Sequence, residues 1–267
     1  MLFSRSSSIG AHRYGGIWTG DNGSWWSHLK LNIAQLPALN MCGFLFAGAD
    51  LGGFAYNTTE DLMLRWLALG IFVPLMRNHS TTGSRHQEGY VFKDKKTIAN
   101  ILGMRYALLP YLYSEYIKCA LKGEMLFKPL CFEYPEDERA RTVEDQLFMG
   151  ESLMLAPVCE QNAKGRYVYL PARMKLIRMT AGDKYSEQVL EKGEHYIPVE
   201  LNEVVFFLRE EKVLPLAKPA KNVKSLDDKH LSWVKFITKP VSYEVCQDDG
   251  STLSALEKSF VRYTVKP

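Results

Sequence analysis

Three short apolar runs near the start of the chain each end in a polar or charged residue, and each leads through a loop into a helical pattern. LFS runs into Arg5, and the glycine-rich stretch GAHRYGGIWTGDNGS reads as the loop after it. Ser24 then stands where it could cap a helix whose apolar positions Trp25, Leu29, Ile33 and Leu36 recur at helical spacing. The run CGFLFAGAD, residues 42–50, suits a strand buried on both faces. It leads to a helix over 61–69 with Thr58 or Thr59 as cap. A third buried strand is read over 71–79, and a long helix over 97–121 is closed by Gly123. Repeated strand–loop–helix units imply a parallel sheet with right-handed crossovers. In barrels of this kind reactive groups sit at strand C-termini, which is where Arg5, Asp50, Arg77 and His79 fall. A closed eight-fold barrel takes about 250 residues, and fewer than half of these 267 alternate in this way.

Beyond Pro129 the pattern changes. A charged connector, FEYPEDERARTVEDQ, precedes short alternating runs (SLMLAPV, RYVYLP, KLIRM, HYIPVEL, VVFFL) that read as an antiparallel sandwich. A break near PLAKPAKN introduces a last β-rich segment, WVKFI, VSYEVC and FVRYTV. The expected division is 1–125, 126–217 and 218–267.

Composition excludes several classes. Apolar residues at 46% and charged residues at 24% are ordinary for a globular chain. A net charge of +3, without clustered Lys and Arg among aromatics, gives no footprint for nucleic acid. The longest apolar stretch, residues 66–76, is too short to span a bilayer. Five scattered cysteines, odd in number and never in a CxxC pair, argue against a disulfide framework or a zinc site and point to the cytoplasm.

The most informative stretch is RYGGIWTGDNGSWW. Asp21 stands between glycines with Trp18, Trp25 and Trp26 nearby. Indole faces suit sugar stacking, and a carboxylate crowded by apolar rings holds its proton more tightly, as a general acid requires. The alternative is that Asp21 caps the following helix with the tryptophans in the core. Asp50, before a Gly-Gly pair, is either a turn residue or a site carboxylate. Spacing alone would pair Asp21 with Asp50 as the two carboxylates of a glycosidase.

The runs WTGDN, FAGADLGGF, RWLALGIFVPLMRNH, RYALLPYLYSEY, FKPLCFEYP and DQLFMGESLMLAPV together resemble glycoside hydrolase family 31, from residue 1 to about 216. The resemblance implies the last three β/α units of a (β/α)8 barrel followed by C-terminal β-sandwich domains. It implies a retaining α-glucosidase that hydrolyses terminal α-linked glucose from oligosaccharides, with no metal or cofactor. Asp21 would be the general acid/base. Arg5, Trp18, Asp50, Phe54, Arg77 and His79 would bind the sugar, and the Asp21–Asp50 pairing gives way, since Asp50 takes a binding role. The family's nucleophile lies in a W-x-D-M-N-E run that these residues lack. The chain therefore carries one of the two carboxylates that retention requires, and is expected to be inactive alone, with the missing N-terminal half of the catalytic domain as partner. An inactive carbohydrate-binding remnant and an α-xylosidase are the alternatives. The loop GSRHQEGYVF departs from the commoner family form, where a Pro-Trp pair follows the histidine.

Overall fold

Four parallel strands open the chain in the computed structural model, whose described residues are 2–252 and 259–267. β1 (Leu2–Ser4), β2 (Gly15–Trp18), β3 (Ala47–Asp50) and β4 (Leu75–Arg77) lie side by side in sequence order. Helices α1 (Trp26–Met41), α2 (Glu60–Gly70) and α3 (Lys95–Lys122) follow β2, β3 and β4. Three β/α units are thus present, but the strand of the first is β2 rather than LFS, and β1 is a fourth strand ahead of it. β2 is hidden in the sequence because it begins Gly-Gly. The glycines are needed there: a Cβ on Gly16 would lie 2.6 Å from Phe46 Cδ1, so only a bare backbone fits between its neighbours.

The other two strands are shorter than their apolar runs. Residues 42–46 complete the turn after α1, held where the Asn40 amide donates to the Phe44 carbonyl at 3.0 Å. Residues 71–74 form a turn after α2, fixed by Arg105, whose Nη1 donates to the carbonyls of Ile71 (2.8 Å) and Val73 (2.9 Å). Ile71, Phe72 and Val73 are buried as core residues of a turn. Gly123 closes α3 in the left-handed region as expected, while the helix starts two residues ahead of 97 behind an unexpected cap, Asp94, whose Oδ1 accepts from Thr97 N at 3.0 Å. Ser24 is not a cap. Trp25 takes that position, while Ser24 Oγ donates to the Ala55 carbonyl at 3.0 Å. Thr59 occupies the cap position of α2 without a side-chain bond; Glu60 and Asp61 supply the acidic first turn.

A six-stranded antiparallel sheet follows. Its spatial order is β10 (Lys184–Leu190), β9 (Met174–Ala181), β12 (Val204–Arg209), β7 (Leu153–Leu155), β6 (Leu147–Met149) and β5 (Phe127–Pro129). Opposite it stands a ribbon of β8 (Gly165–Leu170) and β11 (Gly193–Pro198). Val168, Leu170 and Ile197 of the ribbon share a buried cluster with Phe148, Met154, Leu176 and Phe207 of the sheet. Two further ribbons pair β13 (Lys212–Leu216) with β14 (Ser232–Phe236), and β15 (Val241–Cys246) with β16 (Phe260–Val265).

Polar junctions tie these layers together. Buried Arg65 on α2 donates to the carbonyls of Val199 (2.7 Å), Glu200 (3.0 Å) and Ala163 (3.2 Å) in the sandwich. On α3, buried Glu115 accepts from Lys118 Nζ (2.9 Å), the Glu151 amide (2.8 Å) and the Tyr243 hydroxyl (2.7 Å). One carboxylate thus joins the last helix of the β/α region to the sandwich and to the final β segment. Among the described residues no helix is long and apolar enough to cross a membrane.

Candidate active site

The ends of the four parallel strands carry the polar groups singled out above. Asp50 is the last residue of β3 and pairs in register with Arg77, the last of β4. Its carboxyl group is 0% exposed, and Oδ1 accepts from Arg77 Nε at 2.5 Å. Oδ2 is buried without a hydrogen-bond partner, so an acceptor is left waiting at the mouth of the sheet. Burial pushes the Asp50 carboxyl above its ordinary range, against the hydrogen bond and charge of Arg77. The charge of His79 lowers the same group and that of Asp21 raises it. Arg77 in turn lies with its guanidinium carbon 5.2 Å from the centre of the Trp18 ring on β2.

Asp21 lies three residues beyond β2, facing Arg5 from the end of β1; Nη2 and Oδ2 are 3.2 Å apart. Both side chains are partly open, 40% for Asp21 and 61% for Arg5. The apolar crowding expected around Asp21 is absent. Trp25 turns outward and stacks on Tyr56, with ring centres 4.9 Å apart, while Trp26 packs against the main core. Nor does Asp21 cap α1.

What fixes Asp21 is backbone. Its neighbour Asn22 is buried, donates from Nδ2 to the Asp50 carbonyl (3.2 Å), and accepts on its own carbonyl from the amides of Phe54 (2.7 Å) and Ala55 (3.0 Å). Ser24 N donates to the Ala55 carbonyl at 2.9 Å. The loops after β2 and β3 are therefore zipped together. Gly53, at φ +96°, is where they touch: a Cβ there would strike the Ser24 backbone nitrogen. The second glycine of the DLGGF run thus supplies the bare backbone that this close approach needs.

The loop after β4 joins the same assembly. The Phe54 and His79 rings are 5.2 Å apart, and Thr81 N donates to the Phe54 carbonyl at 2.9 Å. Buried Gln87 donates from Nε2 to the carbonyls of Gly53 (2.9 Å) and His79 (3.2 Å), and Asn78 Nδ2 donates to the Gln87 carbonyl at 2.5 Å. Gln87, Asn78 and Asn22 were not singled out by sequence. Asn22 sits inside a conspicuous run, whereas Gln87 lies in a polar loop where nothing distinguishes it before its burial is known.

Residues 1–115 match the family model described as "Glycosyl hydrolases family 31 TIM-barrel domain", and residues 123–214 match "Glycosyl hydrolase family 31 C-terminal domain". The chain belongs to glycoside hydrolase family 31. Among curated relatives, this family 31 chain is 30% identical over 270 residues to Alpha-glucosidase 2 of Bacillus thermoamyloliquefaciens, covering 100% of the chain and 34% of that protein. It is 32% identical over 276 residues to Lysosomal alpha-glucosidase of Rattus norvegicus, covering 97% of the chain and 29% of that protein. The catalytic subunit in the ER glucosidase II heterodimeric complex superposes with a TM-score of 0.86 at 26% identity, over 98% of this chain and 29% of that one. A family 31 alpha-xylosidase from Xanthomonas citri superposes at 0.85 with 24% identity, covering 99% of this chain and 30% of that one, a likeness of fold. The chain spans about a third of the length of the relatives it matches.

Proposed function

We propose that the chain provides the acid/base and sugar-binding side of a retaining α-glucosidase site that releases terminal α-linked glucose from oligosaccharides. The observation that carries this reading is the gathering of Arg5, Asp21, Asp50, Arg77 and His79 at the C-terminal ends of adjacent parallel strands. The nucleophilic carboxylate comes from polypeptide outside these 267 residues, in the missing half of the catalytic domain.

In the assembled site that carboxylate attacks the anomeric carbon, the glycosidic C–O bond breaks, and the leaving oxygen takes the proton of Asp21. Asp21, now a carboxylate, removes a proton from water as the water attacks the same carbon and breaks its bond to the nucleophilic carboxylate, which leaves as the free anion. Glucose leaves with its configuration kept and Asp21 is reprotonated. Asp50 Oδ2 accepts from a sugar hydroxyl, Arg77 holds that carboxylate in place, and Arg5 and His79 donate to other hydroxyls. Trp18 and Phe54 supply the apolar wall.

The test is co-expression with a segment bearing the W-x-D-M-N-E run from an α-glucosidase relative. Hydrolysis of p-nitrophenyl α-glucoside is expected for the pair, with p-nitrophenyl α-xyloside measured alongside. In the pair, Asp21→Asn should abolish cleavage of methyl α-glucoside yet leave a burst of dinitrophenolate from the dinitrophenyl glucoside, a leaving group that needs no proton. An Asp21→Asn pair that cleaves both glucosides at the unsubstituted rate overturns the assignment.

A further inference from the structure

The outer face of the β8–β11 ribbon carries two neighbouring exposed tyrosines. Tyr167 and Tyr196 are 71% and 51% exposed and stand opposite each other in register. Their rings meet edge to face with centres 5.2 Å apart. Two residues along each strand, on the same face, lie Tyr169 and Glu194, again opposite each other. Here the chain covers itself. The Arg139 guanidinium lies over the Tyr169 ring, 5.8 Å from its centre, and Arg139 Nε meets Glu194 Oε1 at 2.6 Å. The Tyr169 hydroxyl donates to Asp137 Oδ2 at 2.6 Å, and Lys192 Nζ donates to that oxygen at 2.7 Å. This polar rim continues into an open depression of about 670 Å³ lined in part by Tyr134, Asp137, Arg139 and Lys192.

We propose that this face is a second carbohydrate-binding site, separate from the strand-end site, that holds a chain of α-linked glucose through stacking on Tyr167 and Tyr196. The proposal rests on the α-glucosidase reading for the identity of the sugar. Three features select the ligand. First, the exposed apolar area is two rings wide, too small to anchor a protein partner, for which patches of several hundred Å² are usual. It suits the flat C–H face of a pyranose, and each ring brings a hydroxyl that can bond to the sugar's rim. Second, the two cations beside the rings, Arg139 and Lys192, are neutralised by Glu194 and Asp137. A charged ligand would have to break those pairs, whereas a neutral, hydroxyl-rich one uses them as fixed donors and acceptors. Third, the platform is rigid: the ribbon is hydrogen-bonded along its whole length and packed on the sandwich core through Val168, Leu170 and Ile197. Binding there therefore orders little polypeptide. A site of this kind keeps a long substrate on the protein between cleavage events at its end.

The test is affinity electrophoresis of the 267-residue chain in native gels with and without soluble amylopectin. The unsubstituted chain is expected to be retarded by the polysaccharide. Tyr167→Ala with Tyr196→Ala should weaken the retardation about tenfold, as loss of two stacking rings implies, while the thermal midpoint stays put because both rings are exposed. Retardation is read without any turnover, and this keeps the outcome independent of whether hydrolysis is ever reconstituted. Equal retardation with and without the two rings, or none for any protein, overturns the proposal. So does a sedimentation profile in which the tyrosines hold two copies of the chain together.

Discussion

Replacing Tyr243 by phenylalanine removes one oxygen atom from the three-way junction at Glu115. The ring itself should stay, because it is held at 6.1 Å by Tyr111 and 6.0 Å by Trp233, with Lys118 Nζ 3.8 Å above its centre. Burial and the neighbouring Glu115 push the Tyr243 hydroxyl well above its ordinary range, so it serves as a donor at any pH of interest. Its bond to Glu115 Oε1, 2.7 Å long, is therefore what the substitution deletes. Glu115 keeps Lys118 and the Glu151 amide, so no charge is stranded, and the loss is that of one buried bond to a charged group, roughly 2 kcal/mol. For a chain of this size that corresponds to a fall in thermal midpoint of roughly 6 °C, read by far-UV circular dichroism. Glu115→Gln should cost more, about 3–5 kcal/mol, since it leaves Lys118 without its closest counter-charge. Combined, the two changes should cost clearly less than their sum, because Tyr243 and Glu115 share a partner atom. A Tyr243→Phe midpoint within about 1 °C of the parent, or strict additivity, would refute the idea that this carboxylate binds the three layers into one unit.

Other consequences are as direct. The Asp50 carboxyl is raised above the ordinary 3.8 in the folded chain, so folding takes up a proton and its ionisation opposes stability as pH climbs from there. The midpoint of Asp50→Asn relative to the parent should therefore rise from pH 4 upward; a difference flat with pH would contradict the buried placement. Gln87→Ala takes donors from the Gly53 and His79 carbonyls and should lower stability by about 2 kcal/mol in urea titration; no change would mean the loops after β3 and β4 are held elsewhere. Of the five thiols, exposed Cys42 should react first with Ellman's reagent, while burial, which pushes Cys119 up to about 12 and Cys246 up to about 11, keeps those two slow in the folded chain; mass spectrometry of the labelled chain decides it.

What the sequence made legible follows from the physics behind each signal. The buried strands β3 and β4 and the capped helix α3 announce themselves through apolar runs and cap chemistry. β2 does not, because its tight neighbours demand glycine, the residue that otherwise marks a loop. β10 escapes for the opposite reason: KYSEQVL is a sheet edge exposed along nearly its whole length, so no alternation betrays it. At the candidate site, charged strand ends located Arg5, Asp50 and Arg77, while composition misled about Asp21. Three tryptophans near an acid in sequence suggest a greasy pocket, yet alternate positions on a strand, a cap and a helix send them in different directions. The contacts that hold the site in place, through Asn22 and Gln87, are side chain to backbone, and such bonds leave no trace in residue type.

The Arg5–Asp21 ion pair sits at the edge of the parallel sheet. Arg5 rides on β1, which among the described residues is hydrogen-bonded to β2 alone, with Leu2 71% exposed. The position of the guanidinium relative to the carboxylate therefore follows the position of β1. Under the function proposed above, polypeptide that extends the sheet past β1 would bear on this ion pair as well as supply the attacking group.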